Sequence, residues 1–108
     1  TALEEIEKQG GEILVPGEVL TGAGYESGCY VTPVIAEVEN HYDIVQHETF
    51  APILYLIKYT GEVDNAIQLQ NAVRQGLSSA IMTSNLRESE IFLSQNLWVK
   101  DLVFLMPV

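Results

Sequence analysis

Apolar residues recur along this chain in two alternating rhythms. In residues 2 to 9, Leu3 and Ile6 fall on one side and Glu4, Glu5, Glu7 and Lys8 mostly on others. This predicts a short helix that stops at Gly10-Gly11, a glycine terminator. Glu12 to Val15 is apolar-rich and closed by Pro16-Gly17, and Tyr30 to Val38 is rich in β-branched residues. Two strands joined by a long glycine-punctuated turn are expected, and Pro33, which cannot donate to a ladder, puts the second at a sheet edge or on a bulge.

Ala51 to Tyr59 has the strongest strand pattern, with Ile53, Tyr55, Ile57 and Tyr59 pointing one way and Leu54 and Leu56 the other. Apolar residues on both faces predict a strand covered on both sides by helices. Thr60 is the expected cap of a helix over about residues 61–73, whose apolar face is Val63, Ala66, Ile67 and Val73, with Gly76 as terminator. Ser78 to Thr83 predicts another strand, and Asn85 with Glu88 three residues on resembles a capping box for a helix through Gln95. The apolar segment Leu97 to Val108 adds a candidate last strand. Strand, helix, strand, helix is the order of an α/β fold with a parallel or mixed sheet flanked by helices and right-handed crossovers.

At 108 residues, 47% hydrophobic and 19% charged, the chain suits one globular domain. Fifteen acidic residues against five basic give a net charge of -10. Such a field repels nucleic acid and anionic lipid, and the even spread of Asp and Glu reads as a solvated surface. The lone Cys29 permits no internal disulfide, and there is neither a run long enough to span a membrane nor a signal-peptide pattern, so a cytoplasmic protein is expected. Thr1 in place of Met predicts that the chain starts inside something longer or is processed.

Candidate chemistry is sparse. Cys29 has no neighbouring Lys, Arg or His to lower its pKa and reads as a loop residue rather than a nucleophile. His41 and His47, six apart, lack metal-ligand spacing, and no metal site is expected. The glycines at 10, 11, 17, 22, 24 and 28 form no phosphate-binding turn, and no nucleophile elbow occurs. There remains His47-Glu48-Thr49-Phe50-Ala51-Pro52, just before the apolar strand. By its residues it is either a simple turn or a ligand loop, since an ionised Glu accepts hydrogen bonds from sugar hydroxyls and a ring can lie against a flat heterocycle.

Glu48-Thr49-Phe50-Ala51-Pro52-Ile53-Leu54 resembles the E-x-F-G-P motif of the aldehyde dehydrogenase superfamily. Two further segments agree in order. Gly28-Cys29-Tyr30-Val31-Thr32-Pro33-Val34-Ile35 is similar to the family's glycine, aromatic, x-x-Pro-Thr-Ile strand, and residues 75–83 are similar to its glycine-leucine-serine strand. Ala51 in place of the usual glycine, with Thr49 and the Pro-Ile-Leu-Tyr continuation, looks most like the antiquitin branch, which oxidises aminoadipate semialdehyde. The resemblance assigns residues 1–96 to part of an aldehyde dehydrogenase catalytic domain and leaves 97–108 as a divergent apolar segment of the same domain.

The resemblance implies that Glu48 hydrogen-bonds the nicotinamide ribose and Phe50 contacts the nicotinamide of NAD or NADP. It assigns no catalytic residue here, because the family's nucleophilic cysteine lies on a segment upstream of this motif, as does its dinucleotide-binding domain. The expectation is a piece of an NAD(P)-dependent oxidoreductase that is inactive alone and binds no cofactor tightly, its last dozen residues arising from a frameshift or truncation. The alternative is a noncatalytic module that forms a homo-oligomer through apolar surface.

Overall fold

The computed structural model describes residues 1–76 and 78–94, and the backbone of 102–106. Its elements run α1 (Ala2–Lys8), β1 (Glu12–Val15), β2 (Val34–Glu37), α2 (Asp43–Gln46), β3 (Ile53–Leu56), α3 (Val63–Asn71), β4 (Ser78–Met82), α4 (Leu86–Leu93) and β5 (Leu102–Met106). The backbone divides into two compact units, Thr1–Lys58 and Tyr59–Val108.

In the first unit α1 is closed at both ends. Thr1 and Glu4 form a capping box at its start. At its end Gly10, at φ 101°, donates to the Glu7 carbonyl at 3.0 Å, and Gly11 donates to the Ile6 carbonyl at 2.8 Å. Those two bonds satisfy orphan carbonyls through the left-handed geometry that glycine adopts freely. The three-stranded sheet has the order β1-β2-β3, with β1 antiparallel and β2 parallel to its neighbour β3. One face carries Ile13, Ala36 and Tyr55 in register, and α1 and α2 cover it. Ile6, Ala36, Val38 and Val45 form its buried centre, with Leu3, Ile44, Ile53 and Ile57 among the residues packed around them.

Three expectations change here. Pro33 does not mark an edge, because the strand begins after it and β2 is the middle strand; the irregularity of register falls instead on β1, between Ile13 and Val15. β3 is an edge strand of this sheet, and its second apolar face is open: Leu54 is 55% and Leu56 41% exposed. The helix after it is not capped by Thr60. Gly61 adopts φ 84°, Glu62 occupies the cap position without a side-chain bond, and the Thr60 carbonyl accepts instead from Asn65 Nδ2 at 2.7 Å.

In the second unit Val63, Ile67 and Phe92 are buried together from α3 and α4, with Ile81 of β4 and Ile91 against them. Asn85 caps α4, its Oδ1 accepting from the amides of Arg87 and Glu88. The reciprocal arm of the expected box is rerouted through Thr83, whose hydroxyl accepts from the Asn85 amide at 3.0 Å and donates to Glu88 Oε2 at 2.6 Å. β4 and β5 are parallel and joined by α4, so the expected last strand is present at Leu102–Met106. The expected helix through Gln95 stops earlier, at Leu93, because Ser94 turns the chain into an extended conformation (φ -65°, ψ 166°); the rest of the apolar segment lies outside the described residues. A mixed sheet with flanking helices is the α/β architecture read from the sequence.

Candidate functional site

The segment His47–Pro52 leaves α2 and enters β3. His47 turns the chain out of the helix into an extended conformation (φ -122°, ψ 146°), and its ring Nδ1–H donates to the Asp43 carbonyl at 3.0 Å. At the far end the Pro52 carbonyl accepts from the Val34 amide at 2.9 Å, which ties the loop to β2. Between these anchors the chain alternates. Glu48 is exposed, Thr49 is half-buried with its hydroxyl 3.2 Å from that of Tyr55, and Phe50 is 92% exposed.

Phe50 is the only residue other than glycine at positive φ (49°) among the described residues. A bulky side chain held there costs about 1–3 kcal/mol, which the surrounding structure must offset. An apolar ring in solvent on a strained backbone does nothing for the core of this unit. Together with an adjacent carboxylate free to accept hydrogen bonds, it suits a flat ligand bearing hydroxyl groups. Glu48 and Phe50, singled out from the sequence, therefore lie on one short exposed loop. That loop sits at the amino ends of β2 and β3, whereas ligands in open α/β sheets commonly sit at the carboxyl ends, so the general fold rule does not select it. Thr49 and Tyr55 were not singled out. Two hydroxyl-bearing residues six apart across a strand entrance were the only signal, and pairing them requires knowing where the turn ends.

Cys29 is a free, exposed thiol in the loop between β1 and β2. Its Sγ lies 3.6 Å from the Ser27 carbonyl, and no base adjoins it among the described interactions. His41 pairs with Glu39 at 3.3 Å and stacks edge-on against Tyr42. Among the described residues no group of three or more His, Cys, Asp or Glu is placed to hold a metal ion, and no helix is long and apolar enough to cross a membrane.

The profile of the aldehyde dehydrogenase family matches residues 1–96. The alpha-aminoadipic semialdehyde dehydrogenase of Mus musculus is 41% identical over 79% of this chain, and the aldehyde dehydrogenase family 7 member A1 of Pisum sativum is 40% identical over 83% of it. The chain spans only 15% and 16% of those two relatives' lengths. Among solved structures, a betaine aldehyde dehydrogenase double mutant from Staphylococcus aureus in complex with NAD+ superposes with a TM-score of 0.81. It is 21% identical, and the superposition covers 95% of this chain and 20% of that one, which shows a shared fold. With its family motif on an exposed loop and the family profile spanning nearly all of it, the chain belongs to the aldehyde dehydrogenase family, as a segment whose similarity runs to the antiquitin branch.

Proposed function

We propose that this chain supplies the nicotinamide-side wall of the cofactor site in an NAD(P)-dependent aldehyde dehydrogenase acting on a semialdehyde of the aminoadipate type. The observation that carries this reading is the pair Glu48 and Phe50, exposed two residues apart on one strained loop of a chain belonging to this family. In that role the ionised Glu48 carboxylate accepts hydrogen bonds from the ribose hydroxyls, and the Phe50 ring lies against the nicotinamide. A bound dinucleotide supplies the hydride acceptor; this chain's part is to bind and orient it. The substrate class rests on the name of the mouse relative. A cytoplasmic location rests on the single free cysteine.

No residue of the chain is assigned to the chemical step. A thiol nucleophile needs a base or an electropositive setting, and the Cys29 loop offers neither. The 108-residue chain alone therefore forms no NADH from an aldehyde; NADH production above a heat-killed control would overturn that part. The cofactor role is tested in the longest natural polypeptide that carries this segment. Glu48→Ala should raise the KM for the dinucleotide about tenfold or more, because hydrogen bonds to a charged group are lost. An unchanged KM removes Glu48 from the site.

A second reading is favoured by the outer face of the three-stranded sheet. Val15, Ile35 and Leu54 lie in register across it, Leu56 follows on β3, and of these Val15, Leu54 and Leu56 are exposed. A noncatalytic module would bury that row against a second copy. Sedimentation of the 108-residue chain as a stable dimer independent of concentration supports this reading, and a monomer refutes it.

A further inference from the structure

The residue between Glu48 and Phe50 points the other way. Thr49 is half-buried, and its hydroxyl meets the phenol of Tyr55 at 3.2 Å. Tyr55 sits on β3 in register with Ala36, on the face covered by α1 and α2, and packs against the buried cluster of Ile6, Ala36, Val38 and Val45. Its ring is thus held by the core, while its hydroxyl is at the site loop. From this geometry we propose that Thr49 and Tyr55 are positioning residues: their hydroxyl pair bolts the loop to the core, fixing where Glu48 and Phe50 stand before cofactor arrives. The inference rests on the cofactor role proposed for those two residues.

The loop needs such a bolt. His47 holds one end through a bond within its own helical turn, and at the other Pro52 is held by β2 and the Ala51 carbonyl by the Ile53 amide, which leaves Glu48 through Phe50 to be placed. Positive φ at Phe50 is a conformation the free chain disfavours, so it persists only if both flanks are fixed. Among the described interactions, Thr49 is the only residue inside that stretch whose side chain is hydrogen-bonded to the core strand. When the bond is lost, the loop populates relaxed conformers in which the carboxylate and ring are misplaced. Binding is then weakened by the fraction of molecules that remain competent.

The test uses the longest natural polypeptide carrying this segment. Thr49→Val, Thr49→Ser, Tyr55→Phe, the Thr49→Val/Tyr55→Phe double variant and Glu48→Ala are compared for the KM of NAD(P), kcat, NADH affinity by fluorescence and melting temperature. Thr49→Val and Tyr55→Phe should each raise the cofactor KM and the NADH Kd about three- to tenfold, the range expected for one lost hydrogen bond, with kcat close to wild type. The double variant should be no worse than the poorer single one, because the two hydroxyls form one interaction, and Thr49→Ser should restore affinity. If Glu48→Ala weakens binding while Thr49→Val and Tyr55→Phe do not, or if their effects simply multiply, the bolt is refuted and the cofactor loop stands. A change in melting temperature alone, with cofactor affinity intact, also refutes it. If Glu48→Ala is itself silent, the cofactor role falls and the bolt with it.

Discussion

The two compact units of this chain both pack helices on strands, one on a three-stranded sheet and the other on a two-stranded one. The first buries Ile6 and Ala36 completely and joins residues from α1, α2 and all three strands of its sheet around them. Among the described residues of the second, Val63, Ile67 and Phe92 are buried together, supported by Ile81 and Ile91, and β4 leaves Ala80 and Met82 exposed. Of the described helices, each unit has one with a side-chain cap, α1 in the first and α4 in the second, and one without, α2 and α3. α1 has side-chain and glycine caps at its two ends, while α3 starts at Glu62 with no side-chain cap. The strained loop bearing Glu48 and Phe50 is mounted on the first unit. A loop that must hold a ring at positive φ needs a base that does not yield, and the buried cluster around Ile6 and Ala36 supplies it.

Breaking that base should give the largest effect. Ile6 is fully buried under the sheet, and Ile6→Ala removes its outer carbons and leaves a cavity. The loss should be about 3 kcal/mol of unfolding free energy, measured by urea denaturation followed by circular dichroism. Hydrogen exchange should accelerate at Ala36 and Tyr55 more than at Ile81; uniform acceleration would mean that the two units unfold as one. In the second unit the comparable weak point is a cap. Asn85→Ala frees two amides at the start of α4 and should cost about 1 kcal/mol, with faster exchange at Arg87 and Glu88. An effect as large as that of Ile6→Ala would mean that this cap counts for as much as a fully buried core side chain.

The contrast also explains what could be read from the sequence. Signals confined to a few neighbouring residues were legible: Gly10-Gly11 ending α1, Asn85 starting α4, the alternation in β4. Signals depending on what lies beside an element were not. Pro33 is compatible with a middle strand because hydrogen bonding within β2 starts one residue later, at Val34. Thr60 looked like a cap, but Gly61 takes a left-handed turn that moves the helix start onward to Val63. Leu54 and Leu56 predict a strand covered twice, while within this unit only the Tyr55 face is covered. At the site, Glu48 and Phe50 were found through the motif. The positive φ at Phe50 and the partnership of Thr49 with Tyr55 were not, because neither leaves a local trace in residue type.

The smallest expected effect concerns the other exposed loop of the first unit, and it tests whether that loop is as ordered as the one carrying the motif. The Glu26 carboxylate turns back on its own loop, accepting from the Gly24 amide with both oxygens at 3.1 and 3.0 Å. Its own backbone amide first, and that of Gly24 second, hold the Glu26 carboxyl below the usual carboxylate range. A carboxyl whose folded pKa is depressed stabilises the native loop above its unfolded value of about 4.3, and that contribution fades as pH falls through the folded pKa. Because Glu26 is fully exposed, the change should be local and leave global stability almost unmoved. In an acid titration followed by amide NMR, the Gly24 resonance should therefore move with a midpoint below that of an unperturbed glutamate, and Glu26→Gln should abolish the movement. A Gly24 amide that titrates at the ordinary value would show that this loop, with Cys29 at its end, is not held as the Glu48 loop is.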